Sequence, residues 1–158
     1  MAVTSEIVAS WRKPRAGLRR HLDRGVSEPF AFSLLLVFLI VAFVGQWPSA
    51  AREAFVAGDG SAIPRIFARA LSVLATIPLW YGLAALSRLV AKAFKGQGTW
   101  YSARVALFWA LATVSPLMLL QGMVAGMIGP GAGLTAINLV LAAAFLYLWI
   151  NMLVEAER

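Results

Sequence analysis

The sequence predicts an all-α polytopic membrane protein, a bundle of four transmembrane helices preceded by a basic, amphipathic N-terminal arm. The chain has 158 residues, of which 61% are hydrophobic and only 13% are charged, whereas soluble domains are about 45–50% apolar. Its charged residues fall in short patches separated by long apolar runs. Four of these runs are long enough to cross a hydrocarbon core of ~30 Å as helices, because ~20 helical residues suffice.

Residues 1–28 form the arm, which lacks the short basic start, apolar core and cleavage site of a signal peptide. Pro14 and Gly17 divide it, and apolar residues accompany its charges. We therefore expect two short amphipathic pieces at the membrane surface; the alternative is a solvated basic tail. His21, the single histidine, lies among arginines and is expected to be solvated. The residues expected to contact anionic lipid head groups are Arg12, Lys13, Arg15, Arg19, Arg20 and Arg24.

Residues 29–158 are predicted to form the bundle, with spans of about 30–46, 68–88, 104–128 and 134–154. Residues 49–64 are expected to be a loop containing one or two helical turns, which end at the Gly58-Asp59-Gly60 break. Pro64 suits the first turn of the next helix. Thr99 is a predicted N-cap after the Gly96-Gln97-Gly98 turn.

Basic residues predict the orientation of the spans. With four spans, eleven of the fourteen lysine and arginine residues lie on the side that carries both termini. Positive residues are enriched in cytoplasmic loops, so we expect both termini to be cytoplasmic, in the inner membrane of a bacterium.

The composition also argues against several functions. The chain has no cysteine, so it has no disulfide, thiolate metal site or cysteine nucleophile. No acidic residue falls within a predicted span, and no basic residue or histidine lies deep inside one, which is unfavourable for an ion-coupled transporter or a proton pathway. We expect no catalytic residue, no cofactor and no metal. The net charge of +7 has no nucleic-acid reading motif beside it, so nucleic acid is not an expected partner.

Small and polar residues in the third and fourth spans indicate helix packing. Gly122 and Gly126 are spaced four residues apart, which permits close approach of another helix. Gln121 and Asn138 lie at similar depths on spans joined by a tight turn. Since an unpaired amide in hydrocarbon is costly, we expect these two side chains to bond to each other or to nearby backbone.

Pro78 and Pro116 lie near the centres of the second and third spans, where each removes one backbone hydrogen bond and kinks its helix. The carbonyls of Leu74 and Ala112 would be freed, and neighbouring hydroxyl groups could shield them. The candidate hydroxyls are those of Thr76, Thr113 and Ser115. A tolerated structural kink is favoured over a hinge or a small cavity.

Several short segments together form a familiar pattern. They are residues 7–15 of the arm, the Phe94–Trp100 turn, Ser115-Pro116, Gly129-Pro130-Gly131 and Glu155-Ala156-Glu157. In these segments the chain resembles the bacterial branch of the Yip family of integral membrane proteins, a family named for interaction with Ypt/Rab GTPases. The resemblance implies several spans and a cytoplasmic N-terminal region, with no catalytic residue to carry over. Eukaryotic members usually have five spans and act in vesicle traffic, whereas four are counted here. The resemblance therefore implies a fold rather than a task.

The leading hypothesis is a non-enzymatic scaffold or accessory subunit of a larger inner-membrane assembly, such as a respiratory or photosynthetic complex. Its expected partners are anionic lipids and either other membrane proteins or further copies of this chain. Two alternatives stay open, a small transporter or channel and a lipid-organising protein that shapes membranes through the arm.

Overall fold

The prediction of an all-α membrane bundle is confirmed by a computed structural model, which describes residues 3–58 and 60–158. Within these residues there are eight helices and no strand. The helices are α1 (Val3–Arg12), α2 (Pro14–Leu22), α3 (Glu28–Gly45), α4 (Trp47–Val56), α5 (Ile63–Ala75), α6 (Ile77–Ala93), α7 (Trp100–Ile128) and α8 (Ala132–Ala156). Four helical segments are long and apolar enough to span a membrane, namely Glu28–Val56, Ile63–Ala93, Trp100–Ile128 and Ala132–Ala156.

Local sequence explains where most of these helices begin. Five of the seven prolines occupy the first turn of a helix, where a missing backbone N–H costs nothing. They are Pro14, Pro29, Pro48, Pro64 and Pro78. The predicted N-cap Thr99 is confirmed, since its hydroxyl accepts the backbone N–H of Ser102 at 3.0 Å and the Ser102 hydroxyl accepts that of Thr99 at 2.9 Å. This reciprocal pair satisfies two donors that would otherwise be free.

Helix α7 is the centre of the bundle. It packs against α3 and α8 along much of its length and also against α4, α6 and both arm helices. Its side chains are apolar all round, and a helix of this kind belongs in a protein interior. Val105, Leu107, Phe108 and Trp109 are almost wholly buried. The remaining helices are therefore arranged around α7.

The outer spans face the membrane. Helix α5 has no buried residue, and α6 buries only Ala84 and Ser87. The buried residues of α8 are confined to its C-terminal half. Because lipid chains are as apolar as leucine, such exposed helices are stable in a bilayer.

The segment 49–64 is more helical than expected. Helix α3 ends at Gly45, and α4 then continues to Val56 and packs against α7. Gly58 follows with a positive φ of 72°, a conformation that favours glycine. Asp59, the middle residue of the predicted break, lies outside the described residues.

Candidate functional site

The arm is docked onto the bundle, at the end that also carries the C-terminus and the Gly96–Gly98 turn; we call this the arm end. Helices α1 and α2 pack against each other and against α7, and α2 also packs against α8. A β-carbon on Gly17 would lie 3.1 Å from Cβ of Ser10, so this glycine permits the close packing of α1 on α2. The alternative of a solvated basic tail is therefore wrong.

Two indole groups fix the arm to α7. Nε1 of Trp109 donates to the hydroxyl of Ser10 at 3.1 Å, and both residues are buried. Nε1 of Trp11 donates to the carbonyl of Thr113 at 3.1 Å. The second bond reaches α7 about 20 Å from its start, as follows from 1.5 Å per residue. The arm thus covers roughly the first half of the central helix.

The prediction that His21 is solvated is wrong. Its side chain is 3% exposed and lies 4.2 Å from the ring of Trp109 in an edge-on contact, with Phe30 on another side. Nε2 of His21 lies 3.9 Å from a carboxylate oxygen of Glu6. Burial lowers the pKa of His21; Glu6 opposes this shift, while Arg24 and Arg20 add to it. The basic sequence around His21 suggests solvent exposure, but the aromatic contacts come from residues distant in sequence.

We expect docking of the arm to weaken with acidification. The lowered pKa means that the docked arm binds fewer protons than a released arm, whose His21 titrates near 6.5. Docking is thus fully favourable above about pH 6.5 and weakens as the pH falls through the lowered pKa. The rate of trypsin cleavage of the arm in detergent, divided by the rate for an unfolded reference peptide at the same pH, should be higher at about pH 5.5 than at about pH 7.5. The reference corrects for trypsin, which slows when its own catalytic histidine is protonated.

His21→Phe is the control, because it keeps a ring against Trp109 and removes the titration. The Nδ1 atom that this change deletes is buried without a partner. The variant should give the same relative rate at both pH values. An equal acceleration in the variant and the wild type would show that another group controls docking.

Two of the six arm residues predicted to contact lipid head groups are paired with acidic side chains of the protein. Arg19 lies 3.1 Å from Glu155 of α8, and Arg24 lies 3.2 Å from Glu6 of α1. The other four make no ion pair within the described part of the chain and point to solvent. They are Arg12, Lys13, Arg15 and Arg20.

The Gly96-Gln97-Gly98 turn is clamped to the C-terminus. The Glu157 carboxylate accepts from Arg88 at 2.7 Å and from the backbone N–H of Gly98 at 3.1 Å, while its carbonyl accepts the N–H of Gln97 at 2.9 Å. A β-carbon on Gly98 would lie 2.9 Å from Cδ of Glu157, which explains the glycine. The structure thus brings together two segments that carried the family resemblance.

The packing residues of the third span contact α3 and α4. A β-carbon on Gly122 would lie 2.6 Å from the carbonyl carbon of Gly45, and one on Gly126 would lie 3.0 Å from that of Pro48. The close approach predicted for these glycines is therefore made within the chain, and this face of α7 is already occupied.

The predicted bond between Gln121 and Asn138 is absent, and neither amide makes a side-chain hydrogen bond with any described residue. Gln121 is half-buried and lines a cavity of about 1030 Å³ between α4, α5 and α7. Asn138 is exposed on α8. Similar depth is not sufficient for contact, because the two side chains point in different directions around their helices.

The two mid-span prolines differ in their effects. Helix α7 continues through Pro116, and the hydroxyl of Ser115 donates to the freed carbonyl of Ala112 at 2.8 Å. The second span is instead interrupted at Thr76, so that Pro78 lies in the first turn of α6. Trp80 donates to the hydroxyl of Thr76 at 3.0 Å across this break.

Two arginines missed by the sequence reasoning hold helix ends at the opposite end of the bundle. Arg69 donates to the carbonyl of Gln46 at 2.9 Å, where α3 ends, and to Glu53 at 2.7 Å. Arg52 donates to the carbonyl of Met127 at 3.1 Å, near the end of α7. Arginine at a helix C-terminus satisfies free carbonyls and complements the helix dipole. In the sequence, Arg52 and Arg69 are recognisable only as charged residues that flank a span, and nothing there indicates which carbonyl groups they bind.

A family model, that of the Yip1 domain, matches residues 8–157. The match begins within α1 and ends at Glu157, so it includes most of the docked arm, the four spans and the clamp. The family resemblance expected from the sequence is thereby confirmed. Neither the curated proteins nor the solved structures contain a significant match to this chain.

Proposed function

Because this chain belongs to the Yip family of multi-pass membrane proteins, we propose that it is a non-enzymatic scaffold or accessory subunit of a larger bacterial inner-membrane assembly, such as a respiratory or photosynthetic complex. Both termini face the cytoplasm in this proposal, because eleven of the fourteen lysine and arginine residues lie at the arm end. The docked arm then lies on the anionic inner leaflet.

The observation that carries the proposal is the exposed amide of Asn138. Asn138 lies six residues after the first residue of α8, which is about 9 Å along the helix axis at 1.5 Å per residue. Its side-chain amide makes no hydrogen bond with the described residues. An amide exposed to hydrocarbon is unfavourable unless another group satisfies it. Thr135 and Ala142 are exposed on the same face of α8, and small or polar residues are typical of interfaces between transmembrane helices. A helix of another subunit, or of a second copy, would supply the missing partner.

The exposed basic face of the arm supports the lipid part of the proposal. Arg12, Lys13, Arg15 and Arg20 point away from the bundle, and Val8 beside them is 61% exposed. Basic residues next to exposed apolar ones favour contact with anionic head groups.

Crosslinking in native membranes tests this proposal, and the lack of native cysteine allows single labelling sites. Leu139→Cys carries a crosslinker beside Asn138, and Leu79→Cys on α6 is the control, because the two leucines are 67% and 64% exposed. The Leu139→Cys variant should give a defined adduct that the Leu79→Cys variant does not. Asn138→Leu should reduce recovery of the partner about threefold, since interhelical hydrogen bonds average ~0.6 kcal/mol. Recovery of monomer alone, or equal adducts at both sites, would contradict the proposal.

Transport is the second candidate, and the large cavity at the opposite end favours it. This cavity of about 1030 Å³ is lined by polar groups that include Arg52, Glu53, Arg69 and Gln121. Solute flux into liposomes that disappears in Gln121→Leu would favour transport over a scaffold.

A further inference from the structure

A groove runs between α6 and α8 at the arm end. Both helices pack on α7, and the space between them has a volume of about 640 Å³. Its walls are mostly apolar and include Leu86, Val90 and Ile150. The groove ends at Lys95, next to the glycine turn. Its two ends therefore differ, one apolar and one cationic.

Lys95 has an unusual backbone conformation. Helix α6 closes with the N–H of Gly96 donating to the carbonyl of Ala91 at 2.9 Å, a pattern that requires a left-handed residue just before Gly96. That residue is Lys95, with φ of 66°, and it is the one non-glycine residue with positive φ in the described chain. Glycine usually occupies this position because a β-carbon is unfavourable there. A lysine in this left-handed conformation lowers the stability of the fold, so we infer that the Lys95 side chain has a function.

The charge at the mouth of the groove shows what the groove accepts. Lys95 is exposed and makes no ion pair with any described residue. Glu157 also lines this end, but its charge is balanced by the nearby Arg88. The groove thus presents an apolar trough and a free cation at its mouth.

We propose that this groove binds an anionic phospholipid, with an acyl chain between α6 and α8 and the phosphate at Lys95. A phospholipid supplies the apolar chain and the negative charge in one molecule. The proposal does not depend on the proposed function, because an isolated monomer would bind the lipid equally well.

Lys95→Gly gives a sharp test, because it removes the charge and places the favoured residue at the left-handed position. Native mass spectrometry of the full-length protein in detergent measures binding of phosphatidylglycerol against phosphatidylcholine with the same acyl chains. The wild type should retain phosphatidylglycerol preferentially. Lys95→Gly should lose about fivefold in affinity for it, the effect of one lysine near an anionic head group, while its thermal stability stays equal or rises.

Matched variants separate charge from shape. Lys95→Arg should keep the preference for phosphatidylglycerol, and Lys92→Ala, which removes an exposed charge at the same end of the bundle but outside the groove lining, should not change it. Val90→Trp, which fills the groove, should reduce binding of both lipids. Equal binding of phosphatidylglycerol by the wild type and Lys95→Gly would overturn the proposal, as would equal retention of the two lipids by the wild type.

Discussion

Gly122→Ala is expected to prevent stable packing of the bundle. The new β-carbon would lie 2.6 Å from the carbonyl carbon of Gly45 and 3.0 Å from its Cα, and both are backbone atoms that cannot rotate away. Helices α3 and α7 would have to separate along one of the main contacts of the structure. Overpacking typically costs about 1–3 kcal/mol, and we expect a cost at the upper end here because backbone atoms are in the way. Thermal unfolding of the purified protein in detergent should show a large decrease in the midpoint, or no folded protein should be recovered.

Gly82→Ala is the matched control for this substitution. Gly82 also lies inside a transmembrane helix, but a β-carbon built there would have no described atom within 4 Å beyond the neighbouring backbone of its own helix. Replacement by alanine should therefore stabilise α6 by roughly 0.5–1 kcal/mol, the intrinsic difference between the two residues in a helix. If both variants unfolded at the same temperature, close packing at Gly122 would not be what holds α3 against α7.

Arg88→Ala is expected to have the second largest effect. The side chains of Arg88 and Glu157 are only 12% and 9% exposed, and they lie 2.7 Å apart. Removing the guanidinium leaves a buried carboxylate without its counter-charge, which typically costs about 3–5 kcal/mol. Loss of this clamp should also free the Gly96–Gly98 turn, because Gly98 donates to the same carboxylate. The thermal unfolding midpoint and protease resistance of the turn would measure the two effects.

A double variant distinguishes a lost ion pair from a simple packing defect. Arg88→Met together with Glu157→Leu removes both charges and keeps apolar volume, so it should recover most of the stability lost in Arg88→Ala. Arg158→Ala serves as the control, since Arg158 is 61% exposed and 3.5 Å from Glu155. Its effect should be below about 1 kcal/mol. A double variant as unstable as Arg88→Ala would refute the unpaired-charge explanation.

The membrane class, the four spans and many helix ends follow from the sequence alone. These features depend on local properties, namely the length of apolar runs, proline in first turns and the side chain at an N-cap. Thr99 is predictable because its cap bond joins it to Ser102, three residues away. The hydroxyl of Ser115 reaches the Ala112 carbonyl, which Pro116 leaves free, because these two residues are also three positions apart.

Contacts between residues that are not neighbours in the sequence depend on how the helices pack. His21 is buried because Trp109 and Phe30 enclose it, although its sequence neighbours are charged. Gln121 and Asn138 share a depth, but each points away from the other, since depth does not fix rotation about a helix axis. The Arg88–Glu157 pair joins residues 69 positions apart in the chain. The hydropathy of a helix shows how apolar it is. Which helix packs against each of its faces depends on how α3, α8 and the arm are arranged around α7.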